Sequence, residues 1–289
     1  LNNAQHIVWD VETTGIDQMS AELVGIALAV DETTGYYVPV GHQDALGEQI
    51  EIGFVLDALH APLTNPDIPK YAHNAVYDLV VMQRYGIDVT PVAFDSMIAE
   101  WVRDPISKFL GLKNFARQEL DIHMTDIEEL IGKGKSQKTM AQVAVSKAAN
   151  YAAADGVVTL KAVKLLMEEL DTIGASELFH QIDMPMIPVI ADMQRKGVVL
   201  DVAYLAEMSQ RLDVLISALE NDIYTLSGES EFNINSPKQL SEVLFDENKL
   251  NLSNEGISKT THGYSTAQSA LDNLRGEHPI IDKITEYRE

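Results

Sequence analysis

Hydrophobic and polar positions in the first 40 residues follow a pattern that predicts three short strands. Residues 6–9 are strand-like and end at Asp10, residues 23–30 form a second apolar run, and residues 36–40 form a third. Turn-forming residues at 31–35 separate the second and third runs. Alternating or β-branched runs bounded by such residues are typical of strands joined by hairpins. The opening of the chain is therefore predicted to be an antiparallel meander.

Helix-like and strand-like patterns alternate after this meander. Residues 69–73 have the pattern of a short buried strand. Helical patterns cover residues 50–60, residues 76–85, a segment that begins at residues 94–97, and residues 143–170, with Gly156 as an interruption. Strands first, then strands alternating with helices, predict an α/β domain with a mixed sheet flanked by helices.

The composition changes after Gly174. Amphipathic helices with an interruption rich in Gly, Ser and Asn continue from there to the end of the chain. We therefore predict a first domain at residues 1–174 and a second, all-helical domain at residues 175–289. Because the chain begins a few residues before a strand and stops within a predicted helix, we expect it to be a fragment of a longer protein.

Composition narrows the classes of protein that these domains can belong to. A chain of 289 residues with 46% hydrophobic content can bury one or two cores. The absence of cysteine excludes a disulfide framework, thiolate zinc sites and cysteine nucleophiles, and it fits a reducing compartment. No apolar run is long enough to span a bilayer, and no basic segment precedes an apolar one at the N-terminus.

The formal net charge of −23 argues against a nucleic-acid partner, because binding a polyanion is driven largely by cationic side chains. Two considerations weaken this argument. Acids that form a metal cage are neutralised when the cage is occupied, and a cleft can be basic on an acidic body. Lys133, Lys135 and Lys138 form one local basic cluster. We expect modest, salt-sensitive affinity for nucleic acid.

Acidic residues recur in three patterns on predicted regular elements. Asp10 and Glu12 alternate along one strand and so project to the same face. Asp78 begins a helix, and Tyr151 and Asp155 lie one helical turn apart. Hydrolysis of a phosphodiester needs an in-line water and relief of phosphoryl charge, which two divalent ions about 3.5–4 Å apart can provide. Since hard ions such as Mg²⁺ and Mn²⁺ prefer carboxylate oxygens, the patterns predict a two-metal nuclease.

Each pattern alone also has a structural interpretation. An isolated Asp-x-Glu is more often a strand end with solvated acids. Asn74 and Asp78 alone are more often helix caps. Tyr151 and Asp155 alone are more often a surface pair. The three patterns in this order and spacing favour the nuclease, in which the Tyr151 phenol orients the attacking water rather than acting as a base, because its unperturbed pKa is about 10.

Several stretches of the sequence form a set of motifs. The sequence reads DVETTGI at 10–16, HNAVYD at 73–78, GKGKSQKTM at 132–140 and YAAAD at 151–155. This set closely resembles the proofreading 3′-5′ exonuclease domain of the bacterial DNA polymerase I family, the family A polymerases. The resemblance continues through PVIADM at 188–193, GVVLD at 197–201, FNINSPKQL at 232–240 and residues 258–266, which look like the start of the polymerase region. It implies a ribonuclease H-like mixed sheet flanked by helices, followed by an all-α thumb segment.

The resemblance also implies roles for individual residues. It implies two divalent ions, Mg²⁺ or Mn²⁺, held by Asp10, Glu12, Asp78 and Asp155, and a water positioned by Tyr151. Contact with the single-stranded 3′ end of DNA is implied for Thr13, Ile16, His73, Asn74 and Met140. Contact with the backbone of duplex DNA is implied for Asn233, Ser236, Lys238, Lys259, Thr260 and Ser265. The Asn and Ser residues of this last group could instead cap turns.

Three positions depart from the motifs of the family. His73 stands where glutamine is frequent, Met140 where an aromatic residue is frequent, and Ala154 where glutamate is frequent. All of the implied metal-binding carboxylates are present. We therefore expect intact chemistry with a weaker grip on single-stranded DNA.

The resemblance thus implies a metal-dependent 3′-5′ exodeoxyribonuclease, part of a DNA-directed DNA polymerase. Because the polymerase palm and fingers are absent, this chain is not expected to synthesise DNA. A monomer in the cytoplasm, associated with the nucleoid and without a membrane partner, is also expected. Two alternatives stay open: an RNA-trimming exonuclease of the same active-site class, and a catalytically silent DNA-binding scaffold.

Overall fold

The structure is a computed structural model that describes residues 1–43, 49–229 and 231–289. Packing divides the chain into two compact units, Leu1–Gly197 and Val198–Glu289. No helix within the described residues is both long enough and apolar enough to cross a membrane.

A five-stranded mixed sheet forms the centre of the first unit. Its strands are β1 (Ile7–Thr13), β2 (Leu23–Ala29), β3 (Gly35–Pro39), β4 (Lys70–Ala72) and β5 (Val92–Asp95). They lie in the order β3-β2-β1-β4-β5. The first three pair antiparallel, and β4 pairs parallel with both β1 and β5. The predicted meander and mixed sheet are confirmed, whereas β5 was missed because only the helix start that follows it was recognised.

Helices pack on both faces of this sheet. The helices of the first unit are α1 (Ile52–Thr64), α2 (Ala75–Arg84), α3 (Ser96–Arg103), α4 (Leu112–Glu119), α5 (Ile127–Ile131), α6 (Val145–Thr172), α7 (Ser176–Leu178) and α8 (Met184–Lys196). Short 3₁₀ turns at Gly134–Ser136 and Met140–Gln142 precede α6, and a π-helical turn at Phe179–Asp183 precedes α8.

Alternate residues of β1 face two different environments. Val8 packs with Ala29 and with Leu160 of α6. Trp9, on the opposite face, is buried in the larger core that also contains Leu79 of α2. This alternation is the period of two expected for a strand covered on both sides. Consequently the even-numbered residues of β1 point toward α6.

The helix α6 runs without a break through Gly156, where an interruption was predicted. Glycine inside a helix costs about 1 kcal/mol relative to alanine, so the local prediction was reasonable. The position lies against β2, since a Cβ added at Gly156 would be 3.5 Å from the Ala29 Cβ. The small side chains on both elements let α6 lie close to the sheet, and this packing offsets the weak local propensity.

The division by packing comes later in the chain than the change of composition at Gly174. The helix α8 packs against α2 and β5. Phe179 and Ile187 are fully buried in the core of the first unit. Residues 175–197 therefore pack with the first unit, although their helical composition resembles that of the chain that follows.

The second unit is a small helical body. Its helices are α9 (Val202–Ser227), α10 (Pro237–Phe245), α11 (Gln268–Asn273) and α12 (Pro279–Arg288). Ile223 of α9, Leu240 of α10 and Ile281 of α12 are fully buried in its core. The unit also contains a two-stranded ribbon, β6 (Lys259–Thr260) and β7 (Gly263–Tyr264), which the all-helical prediction lacked. The predicted helical character is otherwise confirmed.

The contact of β3 with α6 gives a prediction about stability. A Cβ added at Gly35 would lie 2.2 Å from the backbone oxygen of Ala153 on α6. We expect Gly35→Ala to lower the free energy of unfolding of the first unit by about 1–3 kcal/mol, because neither backbone can yield without moving an element. Fluorescence-detected urea unfolding measures this, since both tryptophans, Trp9 and Trp101, belong to this unit.

Gly111→Ala is the matched control. No atom lies within 4 Å of a Cβ added at Gly111, and its φ of −75° suits alanine. The loss of a favoured N-cap residue and the entropy gained by replacing glycine are both about 1 kcal/mol or less and of opposite sign, so the net effect should be small. Equal stability losses in the two variants would show that the distance between β3 and α6 does not limit packing.

Candidate active site

Three carboxylates of the first unit lie close together. Asp10, Glu12 and Asp155 each offer one oxygen, and these oxygens lie within 4.8 Å of one another. Asp10 and Glu12 share the face of β1 that α6 covers, and Asp155 precedes the glycine at which α6 approaches β2. Sequence periodicity predicted the pairing on β1, and the packing of α6 adds the third acid.

Asp78 lies next to this trio and is held differently. Its side chain is 4% exposed, and its Oδ1 accepts a hydrogen bond of 3.1 Å from the Val11 backbone N–H. The parallel pairing of β1 with β4 involves Ile7 and Val8 only. Because β4 does not pair with β1 at Val11, the Val11 N–H donates to the Asp78 side chain instead of to a strand. Val11 stands between Asp10 and Glu12, so Asp78 is fixed at the backbone of the acidic pair.

The start of α2 is anchored by Asp95, a buried aspartate at the end of β5. Asp95 accepts hydrogen bonds from the backbone N–H groups of Met97 and Ile98 and so caps α3. Its two oxygens also accept from the N–H groups of Asn74, at 3.1 Å, and Ala75, at 2.7 Å. Asp95 thus joins the starts of two helices and fixes the turn that precedes Asp78.

Burial and mutual repulsion raise the pKa values of the clustered acids. Burial is the larger cause and the Asp155 charge the second in raising the pKa of Asp10 to about 7. Burial raises the pKa of Asp155 to about 6, against the opposing effect of Lys113. The pKa values of Glu12 and Asp78 are also raised well above their usual range, first by burial and then by the Asp10 charge. Such a cluster is stabilised by bound cations or protons.

Tyr151 lies one helical turn before Asp155, and its phenol contacts a lysine that the sequence analysis missed. Lys113 Nζ donates a hydrogen bond to the Tyr151 hydroxyl and lies 3.8 Å from the centroid of its ring. The same Nζ is 3.9 Å from Asp155 Oδ2. Burial, followed by the charges of Asp155, Glu12 and Asp10, raises the pKa of Tyr151. The phenol is therefore un-ionised at neutral pH.

Two clefts meet at the carboxylates. The first, here named the Lys113 cleft, has a volume of about 390 Å³ and is lined by Asp10, Asp155 and Lys113, among others. The second, here named the Ile16 cleft, has a volume of about 560 Å³ and is lined by Glu12 and Ile16, among others. Because the acids are divided between the two linings, the carboxylate cluster stands at the junction of the two clefts.

Four of the five residues predicted to grip a single strand are divided between these clefts. Thr13, Ile16 and Met140 line the Ile16 cleft, and the Ile16 side chain is 96% exposed. His73 lines the Lys113 cleft, where its Nδ1 lies 2.8 Å from Ser96 Oγ. Asn74 lines neither cleft and is instead the left-handed residue at which α2 begins, with φ 64°.

A hydrogen-bonded pair holds the wall of the Ile16 cleft. The Tyr37 hydroxyl lies 2.7 Å from His42 Nε2, and His42 Nδ1 lies 2.8 Å from the Val143 carbonyl oxygen. Because a carbonyl only accepts, Nδ1 is the donor, and in the neutral imidazole Nε2 then accepts from the Tyr37 hydroxyl. Met140 and Val143 share one small buried cluster. The pair therefore ties the turn that carries Met140 to the edge of the sheet, a role that no local pattern indicated.

The six residues predicted to contact duplex DNA all belong to the second unit. Ser236 caps α10, Asn233 Oδ1 accepts from the Asn235 N–H at 2.9 Å, and Thr260 Oγ1 donates to the Gly263 carbonyl at 3.0 Å. Ser265 Oγ accepts from the Ala267 N–H at 3.3 Å. The polar side chains thus stabilise turns. The exposed lysines of this group are Lys238, at the start of α10, and Lys259, on β6.

Comparisons with known proteins indicate the family to which this chain belongs. Residues 1–171 match the family model described as 3′-5′ exonuclease, and residues 202–289 match that of DNA polymerase family A. DNA polymerase I of Chloroflexus aurantiacus is 38% identical over 100% of this chain and 30% of its own length. DNA polymerase I of Pseudomonas aeruginosa is 35% identical over 100% of this chain and 32% of its own length. The chain thus spans about a third of the length of these curated relatives.

A solved structure shares the fold. The POL domain of Pol1 from M. smegmatis, in complex with DNA primer-template and dNTP, covers 99% of this chain with 45% of its own length, a TM-score of 0.76 and 21% sequence identity. At this identity the likeness is one of fold. The chain belongs to the 3′-5′ exonuclease family, with a segment of DNA polymerase family A after it.

Proposed function

We propose that this chain hydrolyses the phosphodiester at the 3′ end of a DNA strand and releases nucleoside monophosphates, as the proofreading part of a DNA polymerase I. The observation that carries the proposal is the trio Asp10, Glu12 and Asp155, whose oxygens lie within 4.8 Å of one another where two clefts meet. The chemistry is assigned to residues 1–174. Residues 175–289 are proposed as the beginning of the polymerase part, including its thumb.

The donor set fits two divalent cations of the Mg²⁺ or Mn²⁺ type. Asp10, Glu12 and Asp155 offer hard carboxylate oxygens, and Asp78 adds a fourth carboxylate beside them. Their raised pKa values reflect a cost of burying like charges that bound cations relieve. When bound, the ions supply charge neutralisation at the phosphoryl group and a water acidified for attack.

Tyr151 is proposed to orient the attacking water. Its phenol is un-ionised and so cannot act as the base, but its hydroxyl can donate or accept a hydrogen bond at the edge of the carboxylate trio. Glu12, the member of the trio that lines the Ile16 cleft, is proposed as the partner of Tyr151 in this role. Tyr151 and Glu12 would hold the attacking water between them. A proton of this water would be directed to a carboxylate.

The Ile16 cleft is proposed to hold the terminal nucleotides. Thr13, Ile16 and Met140 offer a mostly apolar wall beside Glu12, which suits contact with bases of any sequence. His73, in the Lys113 cleft, and Asn74, at the start of α2, are proposed to contribute from outside this cleft. Lys138 also lines the Ile16 cleft and could meet a phosphate. With a net charge of −23 the affinity should be modest and fall with salt.

Duplex DNA is proposed as the partner of the second unit. The exposed Lys238 and Lys259 could approach backbone phosphates, and Asn233, Ser236 and Ser265 could donate hydrogen bonds near them. Thr260 donates its hydroxyl proton to the Gly263 carbonyl, so its proposed contact with the backbone is one of packing. Such contacts position a duplex without reading its sequence. The family matches favour DNA over RNA as the substrate and favour an active enzyme over a silent scaffold.

Metal-dependent hydrolysis is the first test. The substrate is single-stranded DNA with a label at its 5′ end and a free 3′ end. We expect stepwise shortening of this DNA in Mg²⁺ and no shortening in EDTA. Asp10→Asn should slow hydrolysis at least about 100-fold, because Lewis-acid stabilisation is worth several kcal/mol. Denaturing gel electrophoresis measures the rate.

Asp57→Asn, at an exposed position of α1, is the matched control and should keep the wild-type rate. The same oligonucleotide made as RNA separates the alternatives: equal or faster cleavage of RNA would favour RNA trimming. If neither the DNA nor the RNA oligonucleotide is hydrolysed and duplex DNA still binds, the catalytically silent scaffold would be favoured.

The stability of the metal-free protein should depend on pH through the same acids. Folding raises the pKa of Asp10 to about 7, above its unfolded value, so the folded state binds this proton more tightly. The stabilisation is complete below about pH 4, the unfolded pKa, and is lost as the pH rises through the folded pKa near 7. In EDTA, Asp10→Asn should gain on the order of 2 kcal/mol over wild type between pH 5 and pH 8.

Urea unfolding at the two pH values measures this difference. Mg²⁺ at pH 8 should restore the stability of wild type and leave Asp10→Asn nearly unchanged. A difference between the two proteins that is the same at both pH values would contradict the assigned repulsion.

Loss of the exposed apolar side chain at Ile16 should weaken substrate binding. We expect Ile16→Ala to raise KM for single-stranded DNA about fivefold with little change in kcat, since contact with one base is worth on the order of 1 kcal/mol. Ile106→Ala is the control, because Ile106 is 87% exposed but lines neither cleft. Steady-state kinetics measure both, and equal KM values for the two variants would remove Ile16 from the binding site.

A further inference from the structure

We propose that Lys113 is a positioning residue for the reaction, acting through the hydroxyl of Tyr151. This inference rests on the proposed function and adds a residue from α4, an element outside the acidic motifs. The contact is direct: Lys113 Nζ donates to the Tyr151 hydroxyl and lies 3.8 Å from the ring centroid. The ammonium therefore holds the ring in position and occupies a lone pair of the hydroxyl oxygen.

The direction of the Tyr151 proton follows from hydrogen-bond chemistry. A lysine ammonium has three donors and no acceptor, so the phenolic oxygen must be the acceptor in this contact. The phenol keeps its own proton at neutral pH, since burial and the nearby acids raise its pKa. That proton must point away from Lys113. Tyr151 is thus free to donate its proton to an acceptor other than Lys113. A hydroxyl that orients a water beside the carboxylates needs such a donated hydrogen bond.

Packing holds the Lys113 side chain in position to donate to the Tyr151 hydroxyl. The helix α4 packs against α6, and its Phe115 and Ala116 are buried. The Lys113 side chain is 24% exposed, and its Nζ also lies 3.9 Å from Asp155 Oδ2. An ammonium shared between Tyr151 and Asp155 links two residues on successive turns of α6. The side chain is therefore constrained at its base by the α4 core and at its tip by two partners.

A simpler role for Lys113 is neutralisation of the acids, and this role must be distinguished from positioning. Lys113 lowers the pKa values of Asp10, Glu12 and Asp155. Of the described residues that line the Lys113 cleft, it is the one lysine or arginine. Neutralisation would act on the acids whether or not Tyr151 carries a hydroxyl. Positioning requires that hydroxyl, so the two roles predict different results in a double-mutant cycle.

The cycle compares wild type with Lys113→Met, Tyr151→Phe and the variant that carries both changes. Single-turnover rates and steady-state KM are measured with Mg²⁺ and single-stranded DNA. We expect each single change to lower kcat about tenfold or more, with KM within about threefold of wild type. The double variant should be no more than about threefold slower than Tyr151→Phe, because Lys113 has nothing left to position. Lys108→Met, at an exposed lysine before α4, is the matched control and should behave as wild type.

A second measurement does not depend on activity. In EDTA, the urea midpoint of the double variant should fall by less than the sum of the two single losses, because both single changes break the same hydrogen bond. If Lys113→Met fails to fold, Lys113→Ala takes its place in both cycles.

The results separate failure of this inference from failure of the proposed function. Rate losses that multiply in an active enzyme, or an effect of Lys113→Met confined to KM, would overturn the inference alone. Additive losses of the urea midpoint would also overturn it. A wild type without metal-dependent hydrolysis would overturn the proposed function and the inference with it.

Discussion

Repulsion among buried carboxylates is the constraint on which the first unit depends. Burial, followed by the charges of neighbouring acids, raises the pKa values of Asp10 and Glu12, so the contacts among the acids do not favour the arrangement without cations. Backbone packing holds them together instead. Gly35 lies against Ala153, and Gly156 lies against Ala29, so α6 can approach the sheet within the reach of a short aspartate. Sheet and helix packing thus supplies the free energy that keeps the acidic cluster assembled.

The partners of these acids differ from one side of the cluster to the other. Asp78 is satisfied by the Val11 backbone N–H, and Asp155 lies near the Lys113 ammonium. Glu12 faces the mostly apolar Ile16 cleft. A backbone N–H, an ammonium shared with Tyr151 and an apolar wall create three different environments within one small region. Because their environments differ, carboxylates of the same chemistry can take different roles in the proposed hydrolysis.

Most of the first unit could be predicted from short-range patterns, and the exceptions share a cause. The strands β1, β2 and β3 follow the predicted alternation, and α6 follows the predicted helical run. The strand β5 was missed because four residues carry little periodicity. The packing of residues 175–197 on the first unit could not be predicted from composition, since burial of Phe179 and Ile187 depends on partners distant in the sequence. The two-residue strands β6 and β7 are likewise too short to leave a pattern.

The sequence by itself determined which residues can carry the chemistry. A period of two places Asp10 and Glu12 on one face, and one helical turn joins Tyr151 to Asp155. Tertiary structure decided which of these groups meet and what surrounds them. It brought Asp155 to β1, held Asp78 through a backbone N–H, and placed Lys113 on the Tyr151 hydroxyl. These contacts join elements far apart in the chain, and local periodicity contains no information about distances between such elements.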